Sequence, residues 1–91
     1  MKPINWSAEK NSTLVQERGI SFEDVIFSLQ HGDLLDDIVH SNHAVYLHQR
    51  IFVVAINSYT YLVSYIESEN EIFLKTIIPS RKATKQYLGC K

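Results

Sequence analysis

Apolar and polar residues recur with two different periods along the chain, and the change falls at Gly32. Before it, apolar residues return every three or four positions, as in amphipathic helices. Ser7 and Ser21 can act as N-caps, and Asp24 completes a variant of the capping box after Ser21. Gly19 and Gly32 are helix stops. The pattern predicts a short strand at residues 4–6, a helix at 10–18 and a second helix from 21 to 31.

Beyond Gly32 the period shortens to two, and β-branched and aromatic residues become frequent, which predicts strands. Asn57-Ser58 and residues 68–70 are turn signals between them. Pro79 is expected to end the last strand, and Ser80 to cap a final helix. The predicted strands cover residues 34–39, 45–57, 59–67 and 71–78, and the final helix extends to residue 88.

This order of elements predicts an α+β fold with two N-terminal helices, an antiparallel sheet of about four strands and a C-terminal helix. Ninety-one residues suffice for one core and not for two, so residues 1–91 are expected to form a single domain. The helices are expected on one face of the sheet, with the other face free. Alternation also places Tyr59, Tyr61 and Tyr65 on one side of their strand, although the sequence does not fix the register.

Composition limits the classes of protein to which the chain can belong. With 45% hydrophobic and 21% charged residues, it is expected to be an ordinary globular protein. The longest apolar run, residues 51–56, is too short to cross a bilayer, which takes about 20 residues. The first residues lack the apolar segment of a secretion signal. The only cysteine, Cys90, gives no internal disulfide. We therefore expect a cytoplasmic protein without membrane association.

Charge is distributed unevenly, although the formal net charge is only −1. Residues 75–91 carry five positive side chains and no acid, whereas residues 1–74 carry four positive and ten negative side chains, a balance of −6. A basic end on an acidic body indicates an anionic partner, either nucleic acid or an acidic protein segment. Basic residues near the end of a last helix also complement its dipole and keep a protein soluble. Charge alone leaves both interpretations open.

Three histidines lie within nine residues, at His40, His43 and His48, and raise the question of a zinc site. Their spacing defines no ligand geometry, and there is no H-E-x-x-H helix, so we expect neither a metal nor another cofactor. The chain also lacks G-x-S-x-G and a phosphate-cradling glycine loop. These absences argue against serine hydrolases, NTPases and dinucleotide enzymes.

Cleavage of RNA without a metal requires a base for the 2′-hydroxyl, an acid for the leaving 5′-oxygen and cations for the charge on phosphorus. Histidine, lysine, arginine and tyrosine can fill these roles. The same residue types are also ordinary surface and packing residues, so their presence does not decide the matter. The chain supplies His40, His43, His48, Arg50, Lys75, Arg81, Lys82 and several tyrosines.

Three stretches, taken together, resemble the BrnT family of toxins. Trp6 precedes Lys10 and Asn11, "RGISFEDV" occupies residues 18–25, and "IIPSRKATKQYL" occupies residues 77–88. The family consists of small ribonuclease toxins of type II toxin–antitoxin pairs, similar in fold to RelE, and the likeness spans nearly the whole chain in the same order. The matched positions are Trp6, Lys10, Asn11, Gly19, Ile20, Ser21, Phe22, Glu23, Arg81, Ala83 and Thr84.

The resemblance implies a RelE-like endoribonuclease that inhibits translation by cleaving RNA. It also implies a cognate ribbon-helix-helix antitoxin that neutralises the toxin and binds operator DNA through its own fold. The expected catalytic residues are His40, His48, Lys75 and Arg81, and the expected RNA-binding residues are Arg50, Lys82, Lys85 and Tyr61. The alternative is a non-catalytic interaction module whose basic C-terminal edge binds an acidic partner segment.

Overall fold

A computed structural model describes residues 2–39 and 49–89 of the chain. The elements are β1 (Ile4–Trp6), α1 (Ala8–Arg18), α2 (Phe22–Gln30), β2 (Leu34–Val39), β3 (Gln49–Ile56), β4 (Tyr59–Glu67), β5 (Ile72–Pro79) and α3 (Arg81–Tyr87). The predicted α+β class is confirmed. No helix in the described part of the chain is long and apolar enough to cross a membrane.

The strands of the described residues form one mixed sheet in the order β1-β5-β4-β3-β2. Strands β2 to β5 are an antiparallel meander, as predicted. The short first strand joins the same sheet as a fifth member and pairs with β5 in parallel, with Ile4 opposite Ile72 and Trp6 opposite Leu74. Pro79 ends β5, as predicted, and is itself the last residue of the strand, opposite Tyr61.

The junction between α1 and α2 follows the capping signals in the sequence. Ser7 accepts a hydrogen bond from the Lys10 N–H, and Gly19 ends α1 in the left-handed region, at a φ of 66°. Ser21 and Asp24 form a complete capping box, in which each side chain accepts a backbone N–H of the other, at 3.1 and 2.9 Å. These local bonds fix the turn between the helices and the direction of α2.

The first face of the sheet, the face covered by α1 and α2, holds the main core. Phe22 and Val25 of α2 are fully buried there, and the Ser28 hydroxyl donates to the Ala55 carbonyl oxygen of β3 at 3.0 Å. The Trp6 ring lies 5.9 Å from that of Phe22. The core residues are Leu14, Ile20, Phe22, Val25, Phe52, Val54, Ile56, Val63, Tyr65, Leu74 and Ile77.

The second face of the sheet is not free, so the expectation that all helices share one face was wrong. Thr60 and Asp36 lie on this face by strand alternation, and α3 contacts both of them. The Thr84 hydroxyl accepts the Thr60 N–H at 2.9 Å, and the Tyr87 hydroxyl donates to the Asp36 carboxylate at 2.8 Å. The crossing follows from the turn at Ser80, whose N–H donates to the Thr60 carbonyl and thereby starts α3 over this face.

A β-bulge interrupts β5 at Lys75. Thr76 pairs with Ser64 and Leu74 pairs with Tyr65, so Lys75 is an extra residue without a partner in β4. Uninterrupted alternation would place Phe73 and Ile77 on one face, and the bulge places them on opposite faces. Simple alternation along the sequence would also place Lys75 on the face of Phe73 and Ile77, and the bulge breaks this common face.

Candidate nucleic-acid interface

Helix α3 presents a basic surface made of Arg81, Lys82 and Lys85, which are all exposed. Its other side packs on the sheet through Ala83, which is buried, and Tyr87. The helix contains no acidic residue. Within residues 2–39 and 49–89, none of the three cations forms an ion pair with a carboxylate. Three uncompensated charges therefore point away from the protein.

This basic surface, Arg81, Lys82 and Lys85, is held by hydrogen bonds at the start of α3. The Ser80 hydroxyl accepts the Ala83 N–H at 3.0 Å, as the predicted N-cap. The Thr84 hydroxyl donates to the Ser80 carbonyl at 2.7 Å while it accepts the Thr60 N–H. The cations are thus carried by a helix that is bonded to β4.

Lys75 is exposed at the bulge of β5, away from the basic surface of α3. Its ammonium group lies 5.7 Å from the centroid of the Phe73 ring, a cation–π distance. Strands rise by 3.3 Å per residue, so Lys75 lies roughly 13 Å from Pro79, where β5 ends and α3 follows. The two expected catalytic cations, Lys75 and Arg81, therefore occupy separate points along this side of the molecule.

Arg50 belongs to a polar cluster with Asp37 and Tyr65 on the first face of the sheet. Its guanidinium donates to the Asp37 carboxylate at 3.2 Å and to the Asp37 carbonyl at 3.0 Å. The Tyr65 hydroxyl donates to the same carboxylate at 2.8 Å, and the Tyr65 ring stacks on Phe52 with centroids 3.9 Å apart. Arg50 is thus committed to an intramolecular ion pair and is not grouped with the cations of α3.

The pKa of Tyr65 provides a test of this cluster. Burial, and then the hydrogen bond to Asp37, raise the pKa of Tyr65 from 10.0 to about 12. The unfolded chain releases this proton near pH 10 whereas the folded chain retains it, so the free energy of unfolding should fall as pH rises from 10 to 12. We expect Tyr65→Phe to remove this part of the pH dependence, as measured by urea unfolding between pH 9 and 12.

Tyr59→Phe is the control for that experiment, because Tyr59 is half-buried and lies outside the Asp37 cluster. It should leave the alkaline loss of stability unchanged. If Tyr65→Phe and the unmodified protein lose stability in parallel above pH 10, the Tyr65 hydroxyl does not hold its proton in the folded state.

The tyrosine-rich side of β4 is the side that faces the main core. Tyr65 is 2% exposed, and Tyr61 is half-buried against the core with its ring 5.6 Å from that of Tyr59. The part of Tyr61 that remains accessible is what an RNA base could contact. The sequence left open which face this side of β4 belongs to, and the structure places it on the face covered by α1 and α2.

The expected catalytic residues His40 and His48, together with His43, lie outside the described residues. The remaining histidine, His31, stacks on Phe27 with centroids 3.9 Å apart at the end of α2. Within the described ranges, no three His, Cys, Asp or Glu side chains group so that they could hold a metal ion.

Several residues that carry the resemblance have structural roles at the α1–α2 junction. The Asn11 side chain accepts the Phe22 N–H at 2.7 Å and donates to the Glu23 carboxylate at 2.9 Å. The hydrogen bond from Asn11 is the main reason why the pKa of Glu23 is lowered. Asn11, Phe22 and Glu23 of the matched positions therefore join the two helices. These three positions do not form a reactive centre.

Sequence reasoning missed Asp37, Tyr65 and Lys10 as members of polar sites. Asp37 and Tyr65 are 28 residues apart and meet only through the strand register, for which the sequence carries no local signal. Lys10 was noted only as part of the resemblance. Lys10 and Lys75 line one depression of the surface, beside the point where β1 pairs with β5, and the sequence pattern did not predict this pairing.

Comparisons with protein-family models, with curated proteins and with solved structures find no match to this chain.

Proposed function

We propose that this protein is the toxin of a type II toxin–antitoxin pair, a cytoplasmic, metal-independent ribonuclease of the BrnT type with a RelE-like fold. Lys75 and Arg81 bind or stabilise phosphate groups of the RNA at their two separate points, and His40 or His48 supplies acid–base catalysis. A cognate ribbon-helix-helix antitoxin neutralises the toxin and alone contacts the operator DNA.

The observation that carries this proposal is the basic surface of α3, with its three outward cations and no acid on the same helix. Lysine and arginine side chains arranged in this way suit the phosphates of a nucleic acid strand. After the short strand β1, the order of two helices, strands β2 to β5 and a final helix supports the fold that the resemblance implies. A non-catalytic module that binds an acidic protein segment would use the same cations, so an experiment must separate the two functions.

The test is expression without the antitoxin, combined with incubation of the purified protein with RNA and ribosomes. We expect growth arrest and shortened transcripts. The double variant Lys75→Ala, Arg81→Ala should cleave RNA at least about a hundredfold more slowly, because it removes cations that stabilise the transition state. Both side chains are exposed, so the variant should fold, which a thermal melt would check.

A matched double variant, Lys2→Ala with Gln86→Ala, removes one cation that is already paired with Glu67 and one exposed neutral residue of α3. It should cleave RNA like the unmodified protein. Equal cleavage by Lys75→Ala, Arg81→Ala would contradict the catalytic roles. If the unmodified protein leaves RNA intact with and without ribosomes, the interaction module is the better function, and binding of an acidic peptide should then depend on Arg81.

A further inference from the structure

A concave depression of about 570 Å³ opens where β1 ends and α1 begins, beside the bulge of β5. Its volume lies in the range of small-molecule sites and is far larger than a phosphate ion needs. Its main lining residues are Ser7, Glu9, Lys10 and Thr13 at the start of α1, and Phe73 and Lys75 of β5.

Two cations from different elements line this depression. Lys10 comes from α1 and Lys75 from the bulge, and within residues 2–39 and 49–89 neither forms an ion pair with a carboxylate. Bulges commonly redirect a side chain next to a functional site, and here the ammonium of Lys75 lies 5.7 Å from the Phe73 ring centroid. Two ammonium groups and one carboxylate, that of Glu9, line the depression, so its local charge is positive and favours an anion.

The other groups of the depression suit the rest of a nucleotide. The Ser7 hydroxyl accepts the Lys10 N–H, which leaves its own proton free for a ligand, whereas the Thr13 hydroxyl already donates to the Glu9 carbonyl. Glu9 makes no ion pair with a described lysine, and its carboxylate can accept hydrogen bonds from ribose hydroxyls. Phe73, which is half-buried, supplies apolar surface.

We infer that this depression is a binding site for a ribonucleoside monophosphate unit, with Lys10 and Lys75 on the phosphate and Glu9 on the ribose hydroxyls. The unit is either a free nucleotide or one residue of an RNA chain. The site lies apart from the basic surface of α3 but includes Lys75, to which the proposed function assigns a catalytic role. Nucleotide binding requires no RNA cleavage, so binding and cleavage can fail separately.

The experiment is a titration of the full protein with adenosine 5′-monophosphate, followed by NMR chemical shifts and calorimetry. We expect shifts at residues 7–13 and 73–75. Lys10→Gln and Lys75→Gln should each weaken binding about tenfold or more, because each removes a charge-assisted hydrogen bond. Lys2→Gln, which removes the same charge elsewhere, should change the Kd by less than about twofold, as expected for an exposed ion pair.

Parallel titrations define the ligand. Inorganic phosphate and 2′-deoxyadenosine 5′-monophosphate should both bind more weakly than adenosine 5′-monophosphate, and Glu9→Gln should reduce the preference for the ribose form. A 5′-phosphorylated ribonucleotide trimer that binds more tightly than the mononucleotide at these same residues would identify RNA as the source, and equal affinity would identify a free nucleotide. The inference is overturned if residues 7–13 and 73–75 do not shift, or if Lys2→Gln weakens binding as much as Lys10→Gln does.

Discussion

Replacing Phe22 with alanine is expected to lower the free energy of unfolding by about 3–5 kcal/mol. Phe22 is 0% exposed and is the largest residue that α2 contributes to the core. Its ring centroid lies 5.9 Å from that of Trp6. Alanine loses the transfer free energy of the ring and leaves a cavity that fixed neighbours fill only in part. A domain of this size has a total stability of about 5–15 kcal/mol, so this one change removes a large share of it.

Phe27→Ala is the matched control, because the same chemical change then falls on a residue of the same helix that is 61% exposed. It should cost less than about 1 kcal/mol, from the lost stacking on His31. Urea unfolding followed by the fluorescence of Trp6, the single tryptophan, measures both variants. Similar losses in the two variants would mean that α2 is not packed on the sheet through Phe22.

Replacing Thr60 with valine is expected to raise the free energy of unfolding by about 1–3 kcal/mol. Thr60 is 0% exposed, and its hydroxyl oxygen has no hydrogen-bond partner among the described residues. Valine has the same branched shape, so the substitution removes an unpaired polar atom without leaving a cavity. The higher midpoint in urea should appear with an unchanged slope, because the surface exposed on unfolding stays the same.

Thr84→Val makes the same substitution in helix α3 and should lower the free energy of unfolding. The Thr84 hydroxyl makes two hydrogen bonds, to the Thr60 N–H and the Ser80 carbonyl, and its loss leaves the Thr60 N–H unpaired. We expect a loss of about 1–3 kcal/mol, measured in the same unfolding experiment. If both variants are destabilised equally, the Thr60 hydroxyl is hydrogen-bonded in solution.

The features that the sequence predicted well depend on neighbouring residues. The capping box of Ser21 and Asp24 and the left-handed stop at Gly19 each involve groups within four positions of one another. The hairpin at Asn57 and Ser58 is similar, since both adopt positive φ, at 54° and 65°, as a tight turn between two strands requires. Local steric and hydrogen-bonding preferences determine such features, so they can be read from short stretches.

The features that the sequence did not predict depend on contacts between residues that are far apart along the chain. Trp6 and Leu74 pair in parallel across a long stretch of chain, so no turn signal in the sequence predicts the pairing. The bulge at Lys75 can be recognised only from the register of β5 with β4. The crossing of α3 to the second face follows from where Ser80 meets Thr60. The same holds for the candidate sites. The cations of α3 could be predicted as a group, whereas the placement of Lys10 and Lys75 beside one depression and the ion pair of Arg50 with Asp37 could not.

The parallel pairing of β1 with β5 also has a consequence for the order in which the protein can assemble during translation. Ile4 lies opposite Ile72, so β1 leaves the ribosome long before the strand that it pairs with. The meander of β2, β3 and β4 can form from neighbouring segments, but β1 must wait until β5 has been synthesised, and the loop that closes between them is long. The single tryptophan, Trp6, therefore lies in a contact that cannot form before Leu74 has been synthesised.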